Sequence, residues 1–422
     1  MKALKPASEV VACISDFGVF SDLAAKLSET FKKTYYRPIW ERGSPKMQQA
    51  RIGEGLGKLE VVSSPFEHFD ETDLFIYTDV GQGWEQNHIE SLGKAVWGSR
   101  LAESLELNRR LMKHVLADLG LPVGPWQTDS GWPALLAHLK KQDDLHVKVD
   151  KFRGNFETFH SPDFKTIESK LDEIAHDMGM FREVTDFIVE DDLPDKCEVG
   201  TDAYTVDGKF PAQLLAGLEV KNRAYVGQIK KYADLPAPVV AFNEKIGPVL
   251  AKFGYRGFFA TEVRVGKDQQ PYMIDACCRA PAPPNELFQE LYLNLADIIW
   301  QGANGVLLDP KPKAQFGAQA MIVSTWADLN WQPLDFPEKL KPNIKLRYGT
   351  KSKGRYYAIP QHEENDVIGA VVGWGDSLAA AESMVEDVAK EIKGHSITVA
   401  TDAFAEAEGE MKKAEEYGVK IL

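Results

Sequence analysis

Five short apolar runs separated by helical patterns fill the first hundred residues, and this alternation restricts that part of the chain to an open sheet with flanking helices. The runs are Val10 to Ile14, Thr34 to Trp40, Leu59 to Ser63, Asp73 to Thr78 and Lys94 to Trp97, with helical stretches near Ser21 to Lys32 and Trp84 to Leu92. Strand–helix alternation builds βαβ units, so an α/β class is expected. With 422 residues the chain has room for two to four domains.

A single amphipathic helix is expected from Leu101 to Leu119. Leu101, Leu105, Met112, Leu116 and Leu119 share a face, Arg109, Arg110 and Lys113 decorate it, and Gly120 and Pro122 stop it. A smaller unit follows, with strands near His146 to Val149 and Asp186 to Glu190 and a helix from Phe164 to Met178. A larger α/β unit closes with a helix from Glu286 to Gln301. The last hundred residues carry strands near Gln319 to Ser324, Tyr356 to Ile359 and Val367 to Gly373, then a helix capped by Asp376 and Ser377. Expected units are 1–120, 121–189, 190–318 and 319–422.

Composition narrows the function. The apolar fraction of 44% and charged fraction of 27% are those of an ordinary globular protein. A net charge of −14 argues against general nucleic-acid binding. No window reaches the ~18 apolar residues of a membrane span, and Val10 to Ile14 is too short for a signal peptide. Cys13, Cys197, Cys277 and Cys278 form no CxxC pair, which fits a reducing cytoplasm. A monomer or homodimer is expected.

Chemistry concentrates in GFFATEVRVGKDQQPYMIDACCRAP, residues 257 to 281. Two strands, Gly257 to Val265 and Tyr272 to Ala276, flank a polar turn and read as a β-hairpin. Glu262 and Asp275, one inside each strand, can converge on a hard divalent cation such as Mg2+, with Arg279 in reach of a phosphate beside it. The alternative is a pair of solvated ion pairs with Arg264 and Arg279. Upstream, Lys148 sits in a strand just before a loop with Gly154, an arrangement that holds phosphates or simply faces solvent. Glu190 ends an apolar strand and Glu198 lies in the next; they can accept hydrogen bonds from a base and a ribose, or form an acidic turn. Lys345, Arg347, Lys351, Lys353 and Arg355 form a basic run that either closes over an anionic substrate or is a solvated loop.

The order of these features, with a basic helix, a strand lysine and loop, Glu-hinge-Glu, then Glu and Asp-x-x-x-Arg, resembles the ATP-grasp superfamily from Trp97 to Gly305. Within it the chain is similar to the phosphoribosylamine–glycine ligase family over its whole length. Glu106 to Arg109 matches that family's Glu-Gly-Ser-Lys, Asp275 to Arg279 its Glu-Phe-Asn-Cys-Arg, and Gly369 to Leu378 its C-terminal glycine pattern. The resemblance implies an ATP-grasp fold with a Rossmann-like N-terminal domain, a small lid and a C-terminal α/β domain. It also implies an ATP- and Mg2+-dependent ligase that joins a small-molecule carboxylate to an amine through an acyl phosphate. By the same token Arg109, Lys113, Lys148, Arg153 and Gly154 would contact phosphates. Glu190 would face adenine, the hinge of Asp191, Asp192 and Leu193 would meet it through backbone, and Glu198 would bind ribose. Glu262, Asp275 and Cys277 take the positions of metal ligands, Arg279 would stabilise charge on the transferring phosphoryl group, and Arg279 with Arg264 would hold the carboxylate end of the substrate. The family's glycine-rich start is replaced by ACISDFG, Ala12 to Gly18, where Asp16 would repel a phosphate. A different substrate is therefore expected. The alternatives are an ATP-grasp kinase and a non-catalytic nucleotide-binding module.

Overall fold

The fold is that of a computed structural model describing residues 4–39, 50–151, 158–193, 196–360 and 366–422, with Asp275 and Ala276 described by backbone alone. The N-terminal alternation forms a five-stranded parallel sheet ordered Leu59–Val61, Lys33–Pro38, Val11–Asp16, Leu74–Tyr77, Ala95–Trp97. Strands buried on both faces need continuous apolar runs, and Val11–Asp16 is buried at every position.

The expected helix from Leu101 to Leu119 is interrupted. A 3-10 turn, Arg100–Glu103, leads into Ser104–Leu107, and a fresh helix runs Arg109–Asp118. Asn108 is the cause. Its backbone leaves the helical region, at φ −134° and ψ 89°, and its side chain accepts a hydrogen bond from the Leu111 N–H. Asparagine competes for helical backbone groups in this way, so the break starts a new N-terminus beside the lid.

The lid sheet is ordered Trp126–Ser130, Asp186–Asp191, Leu145–Val149, Thr158–Ser161, and it packs on the helices Trp132–Leu139 and Phe164–Met178 around its own apolar core. The outer strand Trp126–Ser130 and the helix Trp132–Leu139 escaped sequence reading, because a five-residue polar strand has no apolar alternation to betray it.

A nine-stranded antiparallel sheet forms the centre, and its main path runs from the hairpin strands Tyr272–Cys277 and Arg256–Gly266 through Lys196–Val206, Gln213–Val220 and Ala224–Lys231 to Phe316–Val323, Val367–Gly375 and Ile344–Leu346. The expected division at 318/319 falls inside Phe316–Val323, which carries the sheet from one expected unit into the next. The expected helix from Glu286 to Gln301 is likewise two helices, Asn285–Leu291 and Leu295–Ala303. Between them the Leu293 N–H donates to the Lys311 carbonyl and the Lys313 N–H to the Leu291 carbonyl, so Tyr292 bridges to Pro312 of the returning segment, a pairing that no helical ladder can coexist with.

Four of the five residues of the basic run are held in ion pairs. Lys345 pairs with Glu290 at 2.7 Å, Arg347 with Glu286 at 2.7 Å, Lys351 with Glu338 at 3.0 Å, and Arg355 with Asp335 at 2.5 Å.

Candidate functional site

The site is the surface of the central sheet that faces the lid hinge. Register sets which side chains share that surface. In the antiparallel pairing Glu198 lies opposite Arg264, Gly200 opposite Glu262, and Gly200 also opposite Gly217; Glu219 lies opposite Tyr225. Directly opposed residues point the same way, so Glu198, Asp202, Glu219, Tyr225, Glu262 and Arg264 project from one face.

Over one end of this face three cations gather. Lys113 Nζ is 2.7 Å from Glu190 Oε1, and Lys148 Nζ is 3.6 Å from Oε2. The Lys148 ammonium also donates to the Ile274 carbonyl at 3.0 Å, which ties the lid strand to the hairpin. Both lysines are buried, at 7% and 4% exposure, so their charges stand in a desolvated cleft where opposite charge is most strongly felt. Arg109 joins them, its guanidinium donating to the Val149 carbonyl at 2.6 Å. The Glu190 carboxylate therefore bridges two lysines, which departs from the expected contact with a base. The cause is strand pairing: Glu190 lies opposite His146, which places Lys148 diagonally beside it on the same face. Arg153 and Gly154 lie outside the described residues.

At the hinge, Asp192 accepts from His146 Nε2 at 3.1 Å and from Arg264 Nη1 at 3.2 Å. Burial works against its charge, yet His146 and Arg264 together hold its carboxyl below the usual range. Leu193 packs over Gly124, where a Cβ would lie 3.3 Å from its side chain. Arg264 is thus a hinge residue, and its expected place beside Arg279 is corrected. It pairs with Tyr272, whereas Cys277, next to Arg279, lies five residues further along that strand, about 16 Å at ~3.3 Å per residue.

Arg279 is fixed at the opposite end. Its Nε donates to Glu106 Oε1 at 2.9 Å, and the other oxygen of Glu106 accepts the Cys278 backbone N–H at 2.7 Å. One carboxylate thereby sets both the direction of the guanidinium and the path of the chain leading into it. Ala280 then donates to Thr78 of the N-terminal sheet at 2.8 Å, so Arg279 is delivered to the junction of two sheets. The sequence marks Glu106 only as the first residue of a motif match and gives it no role, because its partner Arg279 lies far away in the chain.

Among the expected metal ligands, Glu262 projects into the cleft and the side chain of Asp275 lies outside the described residues. Cys277 does not suit the role. Burial pushes its thiol far above the ordinary cysteine value, outweighing the neighbouring Arg279 charge, so it stays protonated and offers a hard cation nothing. Among the described residues no three acids, histidines or cysteines are spaced to hold a metal ion. The donors that face the cleft are nevertheless carboxylate oxygens, the kind Mg2+ accepts.

Asp202 and Glu219 are the unexpected members. Burial, with Glu219 and Glu198 adding to it, pushes the Asp202 carboxyl up to about 7; burial and Glu198 push Glu219 up to about 7. In the unfolded chain they ionise near 3.8 and 4.5. Between those values and about 7 the folded state binds more protons, so their contribution falls as pH rises through this window and stays unfavourable above it. Asp202→Asn is accordingly expected to stabilise the protein at pH 8, by on the order of 1–3 kcal/mol, and to gain little at pH 4. Urea unfolding at both pH values checks this, and an equal effect at both would contradict the assignment.

Asp16 does not face an open cradle. It is fully buried, accepts from the Phe20 N–H at 2.6 Å and from Tyr36 Oη at 2.6 Å, and burial pushes its carboxyl up to about 6. An internal carboxylate thus occupies the amide-lined turn after the first strand.

No family model matches this chain, and comparison with curated protein sequences gives no match. Solved structures do match. Phosphoribosylamine–glycine ligase from Thermotoga maritima superposes with a TM-score of 0.70 at 13% identity, over 92% of this chain and 98% of that one. A biotin carboxylase complex from Campylobacter jejuni gives 0.65 at 14% identity over 93% of each chain, and L-amino acid ligase from Bacillus licheniformis gives 0.58 at 15% identity over 93% and 99%. These neighbours are ATP-grasp ligases, matched at high coverage across their mixed parallel and antiparallel sheets. The chain has the ATP-grasp fold.

Proposed function

We propose that the protein is an ATP-dependent carboxylate–amine ligase. The observation that carries the proposal is the polarity of the cleft: Arg109, Lys113 and Lys148 at one end, Arg279 clamped by Glu106 at the other, and a carboxylate-bearing sheet face between them. Cations at one end suit a triphosphate, and oxygen acceptors on the sheet suit its ribose and its metal. In this reading Lys113, Lys148 and Arg109 bind phosphates, with Arg153 and Gly154 in the lid loop. The backbone at Asp192 and Leu193 meets the base and Glu198 the ribose. Glu262, with Asp275, would hold Mg2+, which when bound offsets the negative charge of the phosphates. Arg279 meets the substrate carboxylate, its direction fixed by Glu106. A carboxylate is phosphorylated by ATP, and an amine then displaces phosphate from the acyl phosphate to form an amide. The lid shields that acyl phosphate from water. The relatives that resemble this fold include proteins named as ligases of glycine and of L-amino acids, which supports small-molecule carboxylate and amine substrates. The buried, internally satisfied Asp16 supports a substrate other than a phosphoribosyl amine, since the turn's amides are already spent on a carboxylate. No helix among the described residues is long and apolar enough to cross a membrane, and the four cysteines are free, which supports the expected cytoplasmic setting.

Isothermal titration with Mg-ATP tests the nucleotide end. Lys148→Ala and Glu198→Ala are each expected to weaken binding about tenfold or more, a loss of roughly 1–3 kcal/mol for a charge-assisted contact. Unchanged affinity in both variants would remove the assignment.

A further inference from the structure

Next to Glu262 the sheet face sinks into a recess with a glycine floor. Gly200 lies opposite Gly217, and Gly217 opposite Gly227, so three neighbouring strands present no side chain there. A Cβ at Gly217 would stand 2.5 Å from Tyr225 Oη, which makes glycine a requirement of the recess. The walls are Asp202, Glu219, Tyr225, Glu198 and Glu262, around a cavity of about 30 Å3. That is room for a group the size of one water.

The polar atoms lining this recess from side chains are acceptors or a hydroxyl. Tyr225 is 1% exposed, and its hydroxyl stands beside Asp202, where it lowers that carboxyl as a hydrogen-bond partner, yet it closes no hydrogen bond of good geometry among the described residues. Neither Asp202 nor Glu219 forms an ion pair among the described residues; Lys221 and Arg279 act on Glu219 only from a distance. Two desolvated carboxylates such as Asp202 and Glu219 with no ion pair are costly, and a bound cation relieves that cost.

We infer that Asp202, Glu219 and Tyr225 form the subsite for the ammonium group of the amine substrate. This rests on the ligase reading and deepens it. An ammonium carries three donors and no acceptor, which complements two carboxylates and a phenol oxygen. A divalent metal fits less well, because no three acids among the described residues are spaced to ligate one. The subsite predicts that the amine partner carries a primary, unbranched ammonium, since the glycine floor and 30 Å3 leave no space for a quaternary one.

The test uses the whole 422-residue chain and 13C-methylammonium as probe, followed by NMR line broadening against sodium and tetramethylammonium controls. Wild type is expected to broaden the methylammonium signal, and tetramethylammonium is not expected to compete. The near-isosteric pair Asp202→Asn/Glu219→Gln, checked for folding by circular dichroism, is expected to lose at least about tenfold in affinity. Lys148→Ala should leave the broadening intact. Equal broadening in the double variant, or none in wild type, would overturn the inference. So would Mn2+ bound at the same carboxylates and displaced by methylammonium, seen by electron paramagnetic resonance, because the recess would then be a metal site. Failure of the ligase reading is read separately, as absence of Mg-ATP binding in the same preparation.

Discussion

Arg279→Ala is expected to lower kcat by about 10²–10³-fold while leaving Mg-ATP affinity close to wild type. The guanidinium stands apart from the cluster of Arg109, Lys113 and Lys148, so its removal should spare nucleotide binding and strike the step in which charge moves on the reacting carboxylate. Glu106→Gln keeps a hydrogen-bond acceptor for Arg279 but loses the charge that orients it, and should give an intermediate loss in kcat with KM for ATP unchanged. Arg279→Lys should not restore activity, because a single ammonium cannot reproduce the planar fork that Glu106 grips. Titration calorimetry and steady-state kinetics on the same three variants check the set. A large loss of ATP affinity in Arg279→Ala would move this residue into the nucleotide site and break the assignment of two ends.

The largest effect on stability should come from Glu290. This carboxylate on the helix Asn285–Leu291 is 6% exposed and is approached by Lys345 at 2.7 Å and by Lys26 and Lys313 at 3.4 Å each. Burial opposes its charge, but the three lysines outweigh burial and hold its carboxyl below the usual range. Lys26 belongs to the helix Ser21–Leu27 of the N-terminal unit and Lys345 to the strand Ile344–Leu346, so one acid joins three parts of the chain. Glu290→Ala strands Lys345, which is 3% exposed, and should cost about 3–5 kcal/mol in urea unfolding. Replacing both partners, as Glu290→Leu with Lys345→Met, should recover most of that, because an apolar pair carries no desolvation cost. A single variant with wild-type stability would show that solvent reaches Lys345.

Much of this was readable in residue order. The parallel sheet followed from five apolar runs, and the helix Phe164–Met178 was legible as well, because local pattern and tertiary burial agree there; the structure adds Asp163 as its cap. The two broken helices were not readable: the break at Tyr292–Asn294 is decided by a partner distant in sequence, and the one at Asn108 by a single local cap that the apolar periodicity around it conceals. At the site, Lys148 and Glu262 stood out by placing charge inside apolar strands. Arg264 carried the same signature and lies at the hinge; only register distinguishes the two ends of a strand. Asp202 and Glu219 were hidden for the same reason. Each is one acid in a strand, and their common recess exists only once Gly200 and Gly217 are paired.

Oxygen transfer tests the central claim most directly. A carboxylate that supports ADP release in the presence of Mg-ATP and an amine is prepared with 18O in its carboxyl group, and the released phosphate is examined by mass spectrometry. An acyl-phosphate ligase carries one carboxylate oxygen into phosphate for each amide formed, since the C–O bond to the phosphoryl group is the one that breaks. One 18O per phosphate, matched to amide, is the predicted result. Unlabelled phosphate would mean that water attacks ATP, and ADP without free phosphate would mean a kinase; either contradicts the account.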